Sequence, residues 1–155
     1  MKSALKHRGW RQAMQELAAL YENATWTLVP RHVSMNVVGS KWVIKTKLKA
    51  DGSLERLKAQ LVVKGYNQIE GVDFNETFSP VMRPQIIRLV LIVALSCGWE
   101  IHKLDIKNAF LHGFLKESVY MGQPPGFKGP SFPHHVCELS CALYGLKQAL
   151  RAWFD

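Results

Sequence analysis

Two runs of strictly alternating polar and apolar residues constrain the fold of this chain more than any other feature. The runs cover residues 40–50 and 54–64, and Asp51, Gly52 and Ser53 lie between them. A period of two is typical of half-buried strands, and a short Asp-Gly connection favours a tight turn between them. We therefore predict a β-hairpin over residues 40–64, with its apolar face against a core.

The polar face of this predicted hairpin is basic. Residues 41–65 contain seven basic and two acidic residues, a balance of +5 within the chain's net charge of +8. The basic residues are Lys41, Lys45, Lys47 and Lys49 on the first strand and Arg56, Lys58 and Lys64 on the second. A solvated strand face usually mixes charges of both signs, so this one favours a phosphate-bearing partner. A face that is merely solvated is the alternative.

Helical periodicity marks two further segments. Helical spacing predicts an amphipathic helix of about three turns, with its apolar face formed by Trp10, Ala13, Met14, Leu17, Ala18 and Tyr21. Residues 85–97 are almost entirely apolar and are followed by Gly98. Such uniform apolarity predicts a helix buried in the core.

Shorter elements fill the rest of the chain. Residues 23–30 are predicted to form a loop followed by an extended segment. Residues 99–106 are predicted to form a strand that is buried on both sides and leads into a helical turn ending at Gly113. Residues 122–133 hold four of the seven prolines and predict an irregular loop. A short strand at 136–139 and a helix beginning near Lys147 complete the prediction.

Asp105 is the residue whose chemistry stands out. It lies near the end of the predicted strand 99–106, and a buried carboxylate is costly unless it is paired or bound to a metal. The position therefore favours a metal-binding aspartate. The alternative is an aspartate that caps the helical turn beginning near Lys107.

Cysteine usage and hydropathy indicate the compartment. Cys97, Cys137 and Cys141 form no even framework, so we expect reduced thiols in an intracellular protein, cytoplasmic or nuclear and not secreted. His134 and His135 could join Cys137 and Cys141 as zinc ligands, but no second cysteine pair with finger-like spacing accompanies them. The longest apolar run, 89–95, is far shorter than a membrane span, so we expect no membrane partner.

Six motifs now point to one family. They are WRQAM from Trp10, NATWTLVP from Asn23, KWVIK from Lys41, DFNETFSPV from Asp73, KLDIKNAFLHG from Lys103 and ALYGLKQA from Ala142. On these motifs the chain resembles, end to end, the reverse transcriptase of copia-type retrotransposons. The resemblance implies an α+β fold: a fingers region over about 1–84 and part of a right-hand polymerase palm over about 85–155, an antiparallel sheet with packed helices.

The resemblance also implies roles for individual residues. Asp105 looks like the first metal-binding aspartate, which shares Mg²⁺ ions with the incoming nucleotide and the primer 3′-hydroxyl. Phe110 resembles the steric gate that excludes a ribose 2′-hydroxyl. The nucleotide is expected to meet Ile106, Lys107, Asn108, Ala109 and, from the fourth polymerase motif, Gln148. Arg56, Lys58 and Lys64 are the candidates to meet triphosphate or template phosphates.

The chain departs from the family pattern at several positions. Gln60 stands where the second finger strand usually has arginine, Leu150 stands where proline is usual, and Ser40 replaces a common cysteine. No two of the twelve acidic residues are adjacent, so the family's Tyr-Val-Asp-Asp motif is not among these residues. We expect the second half of the palm, the thumb and ribonuclease H to be absent as well.

These departures shape the expected function. The parent reaction is Mg²⁺-dependent, template-directed nucleotidyl transfer, with template-primer, deoxynucleoside triphosphates and the remainder of the Pol polyprotein as partners. We expect these residues alone to be inactive, because one carboxylate cannot close a two-metal site. The alternatives are a non-catalytic nucleic-acid-binding remnant that acts through the basic hairpin, and a partly folded non-functional product with an exposed apolar helix face.

Overall fold

The structure is a computed structural model that describes residues 8–104, 106 and 108–155, with Asp105 and Lys107 outside it. The α-helices are α1 (Arg8–Glu22), α2 (Pro84–Ser96) and α3 (Ala149–Phe154). The strands are β1 (Trp26–Pro30), β2 (Val37–Val38), β3 (Ser40–Leu48), β4 (Leu54–Val63), β5 (Phe114–Gly122) and β6 (His135–Cys141). Short 3₁₀ turns occupy Gly65–Asn67 and Ala109–His112. The fold is therefore mixed α and β, and its strand pairs are mostly antiparallel.

The β3–β4 hairpin confirms the prediction from alternation. The two strands pair antiparallel from Ser40 opposite Val63 to Leu48 opposite Leu54. Asp51 Oδ1 accepts hydrogen bonds from the Ser53 amide at 2.8 Å and from the Ser53 hydroxyl at 2.6 Å, and Gly52 has a φ of +79°. These features stabilise the reversal, since a positive φ is accessible to glycine at little cost.

A second sheet has four strands in the order β1-β6-β5-β2. The β1–β6 and β6–β5 pairs are antiparallel, and the short β2–β5 pair is parallel. The core contains buried side chains from both sheets, from α1 and from the segment that follows β6, including Leu17, Leu20, Leu61, Met121 and Leu143. We call α1, the hairpin, the four-stranded sheet and α3 the packed body.

Helix α1 lies where the sequence predicted it, but its buried face differs in part. Leu17 and Leu20 are buried against the core, whereas Ala18 and Tyr21 are exposed. The side chains of Trp10, Ala13 and Met14 lie outside the described residues. Because Leu20 follows Leu17 by three residues, the two share one face of the helix, and that face contacts β4.

Two predictions for residues 84–106 are wrong in the described structure. Helix α2 forms, but it is not a core helix: Ala94 is buried, while eight apolar side chains of α2 are 42–70% exposed. Residues 99–104 and Ile106 form no strand, and Trp99, Ile101, Leu104 and Ile106 are exposed. An extended segment becomes a strand only when a neighbour satisfies its backbone groups, and none of the described residues pairs with this one.

The sequence pattern also missed β5. Only from Val119 to Gly122 does it alternate between buried and half-buried residues, and its pairing with β6 shifts register between Phe114 and Val119. An irregular register interrupts the period of two on which strand prediction depends. Within the described residues, no helix is both long and apolar enough to cross a membrane.

Candidate nucleic-acid and nucleotide site

The hairpin brings like charges together on one face. Lys45 lies directly opposite Lys58 across the hairpin, and Lys47 lies opposite the backbone of Arg56, whose side chain is outside the described part. Residues directly opposite on antiparallel strands are close neighbours, and like charges there are destabilising. Lys41 shares this face, because side chains two residues apart on a strand point the same way. We call Lys41, Lys45, Lys47 and Lys58 the cationic face.

Little negative charge offsets the cationic face. No ion pair found among the described residues involves one of these lysines. Burial raises the pKa of Glu16 on α1 above its ordinary value, and the nearby positive charge of Lys58 partly opposes that rise. The lysines of the cationic face therefore repel one another, and an anionic ligand bound there would reduce this repulsion.

Lys49 and Lys64 do not extend the cationic face as the alternation predicted. Strand β3 ends at Leu48 after a register shift, so Lys49 lies in the turn, where its amide donates to the Ser53 carbonyl at 2.9 Å. Strand β4 ends at Val63, and Lys64 is half-buried with its amide on the Gly39 carbonyl at 2.8 Å. Both residues remain near the hairpin, but at its two ends.

The predicted nucleotide-binding segment is partly described. Asp105 and Lys107 lie outside the described residues, and Ile106 is exposed. Asn108 adopts the left-handed conformation with φ +52°, and its carbonyl accepts from the Leu111 amide at 2.8 Å, opening the turn at Ala109. Asparagine tolerates this conformation better than most residues, so the turn has a local cause in the sequence.

Phe110 is held in a defined position. Its ring meets the ring of Tyr144 edge to face, with centroids 4.8 Å apart and planes 79° apart. Phe110 is only partly buried, and it packs against the hydrophobic core. Aromatic pairs of this geometry are favourable beyond their buried area, so the ring is fixed while part of it stays accessible.

The segment 142–149, which we call the clasp, joins Phe110 to the base of the hairpin. The Tyr144 carbonyl accepts from the Val63 amide at 2.8 Å. Gly145 has a φ of +92°, and a Cβ there would lie 2.2 Å from the Val63 carbonyl oxygen. A Cβ on Gly65 would lie 2.0 Å from the Gly145 carbonyl oxygen. The close approach of the two chains therefore requires glycine at both positions.

Gln148 lies in a buried polar cluster that the sequence reading did not foresee. Its amide nitrogen donates to the Asp73 carbonyl at 2.8 Å, and its amide oxygen accepts from Gln68 at 3.0 Å. Gln68 in turn accepts from the Lys147 amide at 2.9 Å. The Asp73 carboxylate accepts from the Ile69 amide at 2.8 Å and from the Asn36 side chain. Gln148 thus ties the loop 65–74 to the start of α3.

No periodicity in the sequence could have revealed this cluster. Its members lie far apart in the chain, and polar residues in loops are ordinarily exposed. The one sequence feature that set Asp73 and Gln148 apart is that they lie within the DFNETFSPV and ALYGLKQA motifs. The cluster shows that these motifs hold the packed body together.

Gln148 also lines a cleft of about 310 Å³, and the two cations that line it, Lys116 and Arg151, both form ion pairs. Arg151 contacts Asp155 at 3.0 Å and Glu76 at 3.5 Å, and Lys116 contacts Asp155 at 3.0 Å. Hydrogen bonds from Lys116 and Arg151 lower the pKa of Asp155. The cations of this cleft are thus already neutralised, in contrast to those of the cationic face.

The three positions that depart from the family pattern have distinct surroundings. Gln60 lies opposite Val43 on the same side of the hairpin as the cationic face, so an arginine there would extend that face. Leu150 is exposed in the first turn of α3, where a proline would fit. The buried Ser40 hydroxyl has no hydrogen-bond partner in the described structure, a cost that the weakly polar thiol of cysteine reduces.

The cysteines and potential metal ligands are also placed. Cys137 and Cys141 are buried in β6, and burial raises the pKa of the Cys137 thiol to about 12 and that of Cys141 above its ordinary value. Cys97, at the end of α2, is exposed. Across the described parts of the chain, no group of three or more His, Cys, Asp or Glu side chains is arranged to hold a metal ion.

Comparison with known proteins identifies the relatives of this chain. The family model described as "Reverse transcriptase (RNA-dependent DNA polymerase)" matches residues 23–155. The chain is 53% identical over 153 residues to the retrovirus-related Pol polyprotein from transposon RE1 of Arabidopsis thaliana, covering 97% of this chain and 10% of that protein. No solved structure matches.

Two further relatives extend this range. The retrovirus-related Pol polyprotein from transposon TNT 1-94 of Nicotiana tabacum is 44% identical over 158 residues, which cover 99% of this chain and 12% of that protein. An uncharacterized mitochondrial protein of Arabidopsis thaliana is 53% identical over 117 residues, covering 74% of this chain and 68% of that protein. The chain thus spans about a tenth of the length of the Pol polyproteins that it matches.

Proposed function

The chain belongs to the reverse transcriptase (RNA-dependent DNA polymerase) family found in retrotransposon Pol polyproteins, and from that premise we propose that it forms the fingers and part of the palm of a right-hand polymerase. The proposed reaction is template-directed transfer of deoxynucleotides to a primer. The proposed partners are an RNA or DNA template-primer, deoxynucleoside triphosphates and the remainder of the polyprotein. The cationic face is the observation that carries this proposal. A polymerase must bind the phosphates of its template-primer and nucleotide, and an exposed group of lysines can contact them.

The chemistry is proposed to centre on Asp105. Mg²⁺ held there would neutralise charge on the triphosphate and lower the pKa of the attacking hydroxyl. Asn108 and Ala109 would present backbone N–H groups to phosphate oxygens, and Lys107 would add a positive charge. The fixed ring of Phe110 supports a role in sugar selection, since a gate works only if its position is defined. Gln148 would act mainly by fixing the floor of the site, since both its amide atoms bond within the protein.

We propose that these residues alone do not polymerise. With no two acidic residues adjacent, they lack the paired carboxylates that would complete a two-metal site with Asp105. A non-catalytic role in binding nucleic acid is the second candidate. The lysines of the cationic face favour it, because none of them forms an ion pair with a described residue. A partly folded product without function is the remaining alternative. The exposed apolar side chains of α2 favour it.

The first test restores what these residues lack. The chain, with Gln60→Arg, is fused to the adjoining downstream part of the transposon RE1 polyprotein, and primer extension is measured. We expect extension in the fusion, none in the 155-residue chain, and none in the fusion carrying Asp105→Asn. Phe110→Ala in the fusion should raise ribonucleotide relative to deoxyribonucleotide incorporation, because the clash with the 2′-hydroxyl is removed.

The matched control is Phe114→Ala, which removes an identical ring that is 74% exposed on β5. It should leave sugar selection unchanged. If Phe110→Ala altered only the overall rate, the placement of this segment beneath the nucleotide would be wrong. Extension by the 155-residue chain that disappears with Asp105→Ala would contradict the proposed inactivity.

The second test measures binding to duplex DNA against salt concentration. Neutralising four or five phosphates should give a slope of log K against log salt of roughly −4. Lys45→Gln with Lys47→Gln should reduce its magnitude by about 2, since each lost phosphate contact removes about 0.9. The matched control, Arg83→Gln with Arg88→Gln, removes the same charge from exposed positions on α2 and the residue before it, and should leave the slope unchanged. Equal slopes in both double variants would move the binding surface away from the hairpin.

A further inference from the structure

A second basic surface lies at one end of the four-stranded sheet. There β1 and β5 end, β6 begins, and the proline-rich loop 123–134 surrounds a cleft of about 550 Å³. Four basic side chains line this cleft, namely Arg31, Lys128, His134 and His135, and none of the described residues that line it is acidic. We call it the loop cleft.

The loop that forms this cleft is fixed by one amide side chain. Gln123 is 9% exposed, and its nitrogen donates to the Phe132 and His135 carbonyls, each at 2.8 Å. Its oxygen accepts from the Gly129 amide at 2.9 Å. These three hydrogen bonds tie both ends of the loop to its middle, so Lys128 and His134 extend from a backbone that is already ordered. A preorganised site loses less entropy on binding.

The positive charge of the loop cleft is not balanced by carboxylates. None of the ion pairs in the described parts of the chain involves Arg31, Lys128, His134 or His135. The walls combine this charge with apolar surface from Pro30, Pro133 and Val37. The His135 ring is also held against Phe132, with centroids 4.8 Å apart. Charge and apolar surface together suit an anion that carries an organic group.

The loop cleft is distinct from the cationic face of the hairpin. The Trp42 indole nitrogen donates to the Pro125 carbonyl at 3.1 Å, and its ring meets Phe127 at 5.7 Å between centroids. Trp42 thus anchors the loop to the hairpin. Trp42 alternates with Lys41 along β3, so the loop lies against the side of the hairpin opposite to Lys45 and Lys47.

We propose that the loop cleft binds the phosphate of a nucleotide unit, either free or within a single strand. Arginine and lysine are the residues that most often hold phosphate, and imidazole nitrogens add hydrogen bonds to it. The volume of about 550 Å³ exceeds what a phosphate ion needs and leaves room for a sugar and base. This site goes beyond the proposed polymerase function and does not rest on it.

The test compares two double variants of the 155-residue chain. The cleft variant is Arg31→Gln with Lys128→Gln, and the hairpin variant is Lys45→Gln with Lys47→Gln. All four residues are exposed, so both variants should fold, which a thermal transition checks. The probes are thymidine monophosphate, thymidine as the control without phosphate, and a short oligothymidylate, each titrated by calorimetry at fixed salt.

The cleft variant should bind at least one phosphate-bearing probe about tenfold more weakly or worse, because two charge-assisted contacts are lost. Loss of monophosphate binding in this variant but not in the hairpin variant identifies a site for free nucleotides. Loss confined to oligothymidylate identifies a site for a strand. If the cleft variant bound both phosphate probes as the unchanged chain does, or if thymidine bound as well as its monophosphate, the proposal would be overturned. The smaller salt slope expected for duplex DNA in the hairpin variant bears on the cationic face and leaves this proposal unaffected.

Discussion

The packed body and the segment 84–106 are both rich in apolar residues, yet they differ in what covers those residues. In the packed body, each amphipathic element turns its apolar face towards another, and Leu20, Leu61 and Met121 are at most 1% exposed. In the segment, α2 and the stretch after it expose most of their apolar side chains to solvent. An amphipathic sequence specifies how it packs, whereas a uniformly apolar one specifies only that it requires a partner.

The same difference in packing separates two parts of the candidate nucleic-acid and nucleotide site. The cationic face belongs to the packed body, and Phe110 packs against its core and against Tyr144 of the clasp. The metal-binding candidate Asp105 follows the exposed stretch 99–104. An exposed apolar surface of this kind is typical of an interaction surface, so the metal site proposed at Asp105 is expected to depend on contacts beyond the packed body.

The largest predicted contrast is in thiol reactivity. Exposed Cys97 should react rapidly with a disulfide reagent, whereas Cys137 should be protected. Raising the Cys137 pKa from 9.0 to about 12 lowers its thiolate population roughly a thousandfold near neutral pH, and burial slows access further. Stopped-flow labelling should show one fast thiol, which Cys97→Ser abolishes. Two fast thiols in the native chain would mean that β6 is not packed as described.

A matched pair of leucine substitutions tests the same contrast in stability. Leu61→Ala removes a side chain that is 1% exposed in β4, and Leu95→Ala removes one that is 70% exposed in α2. We expect the first to lower the free energy of unfolding by about 2–5 kcal/mol and the second by less than about 0.5 kcal/mol. Urea titrations measure both. A large loss from Leu95→Ala would show that α2 is buried in solution.

The comparison also explains how far the sequence predicted the fold. The hairpin could be predicted in detail, because residues 40–64 contain alternating polar and apolar residues, a turn sequence and an excess of basic residues within one short stretch. The prediction of a core helix was wrong for α2, because uniform apolarity says nothing about which partner is present; an exposed apolar helix face was predicted only as an alternative. The buried amides of Gln68 and Gln148 were hidden for a related reason: their partners lie about eighty residues away in sequence.

For the candidate site, the motifs predicted the family of the chain better than they predicted how the site residues are arranged. The resemblance drawn from six motifs is confirmed by the family match over residues 23–155. The alternation placed Lys45 and Lys58 on the polar side of the hairpin, but only the register shows that they are directly opposite. The helical turn ending at Gly113 was predicted, but no spacing rule predicts the edge-to-face contact between Phe110 in this turn and Tyr144.

Native-state hydrogen exchange, resolved by residue at several low urea concentrations, most directly tests the claim that these two regions differ in packing. We expect the β6 amides from Val136 to Leu139 to exchange only through global unfolding, with a strong dependence on urea. The α2 amides from Arg88 to Leu95 should exchange through local opening with little dependence on urea, because a 13-residue helix without packing is marginal in water. Equal protection and equal urea dependence in α2 and β6 would contradict the account.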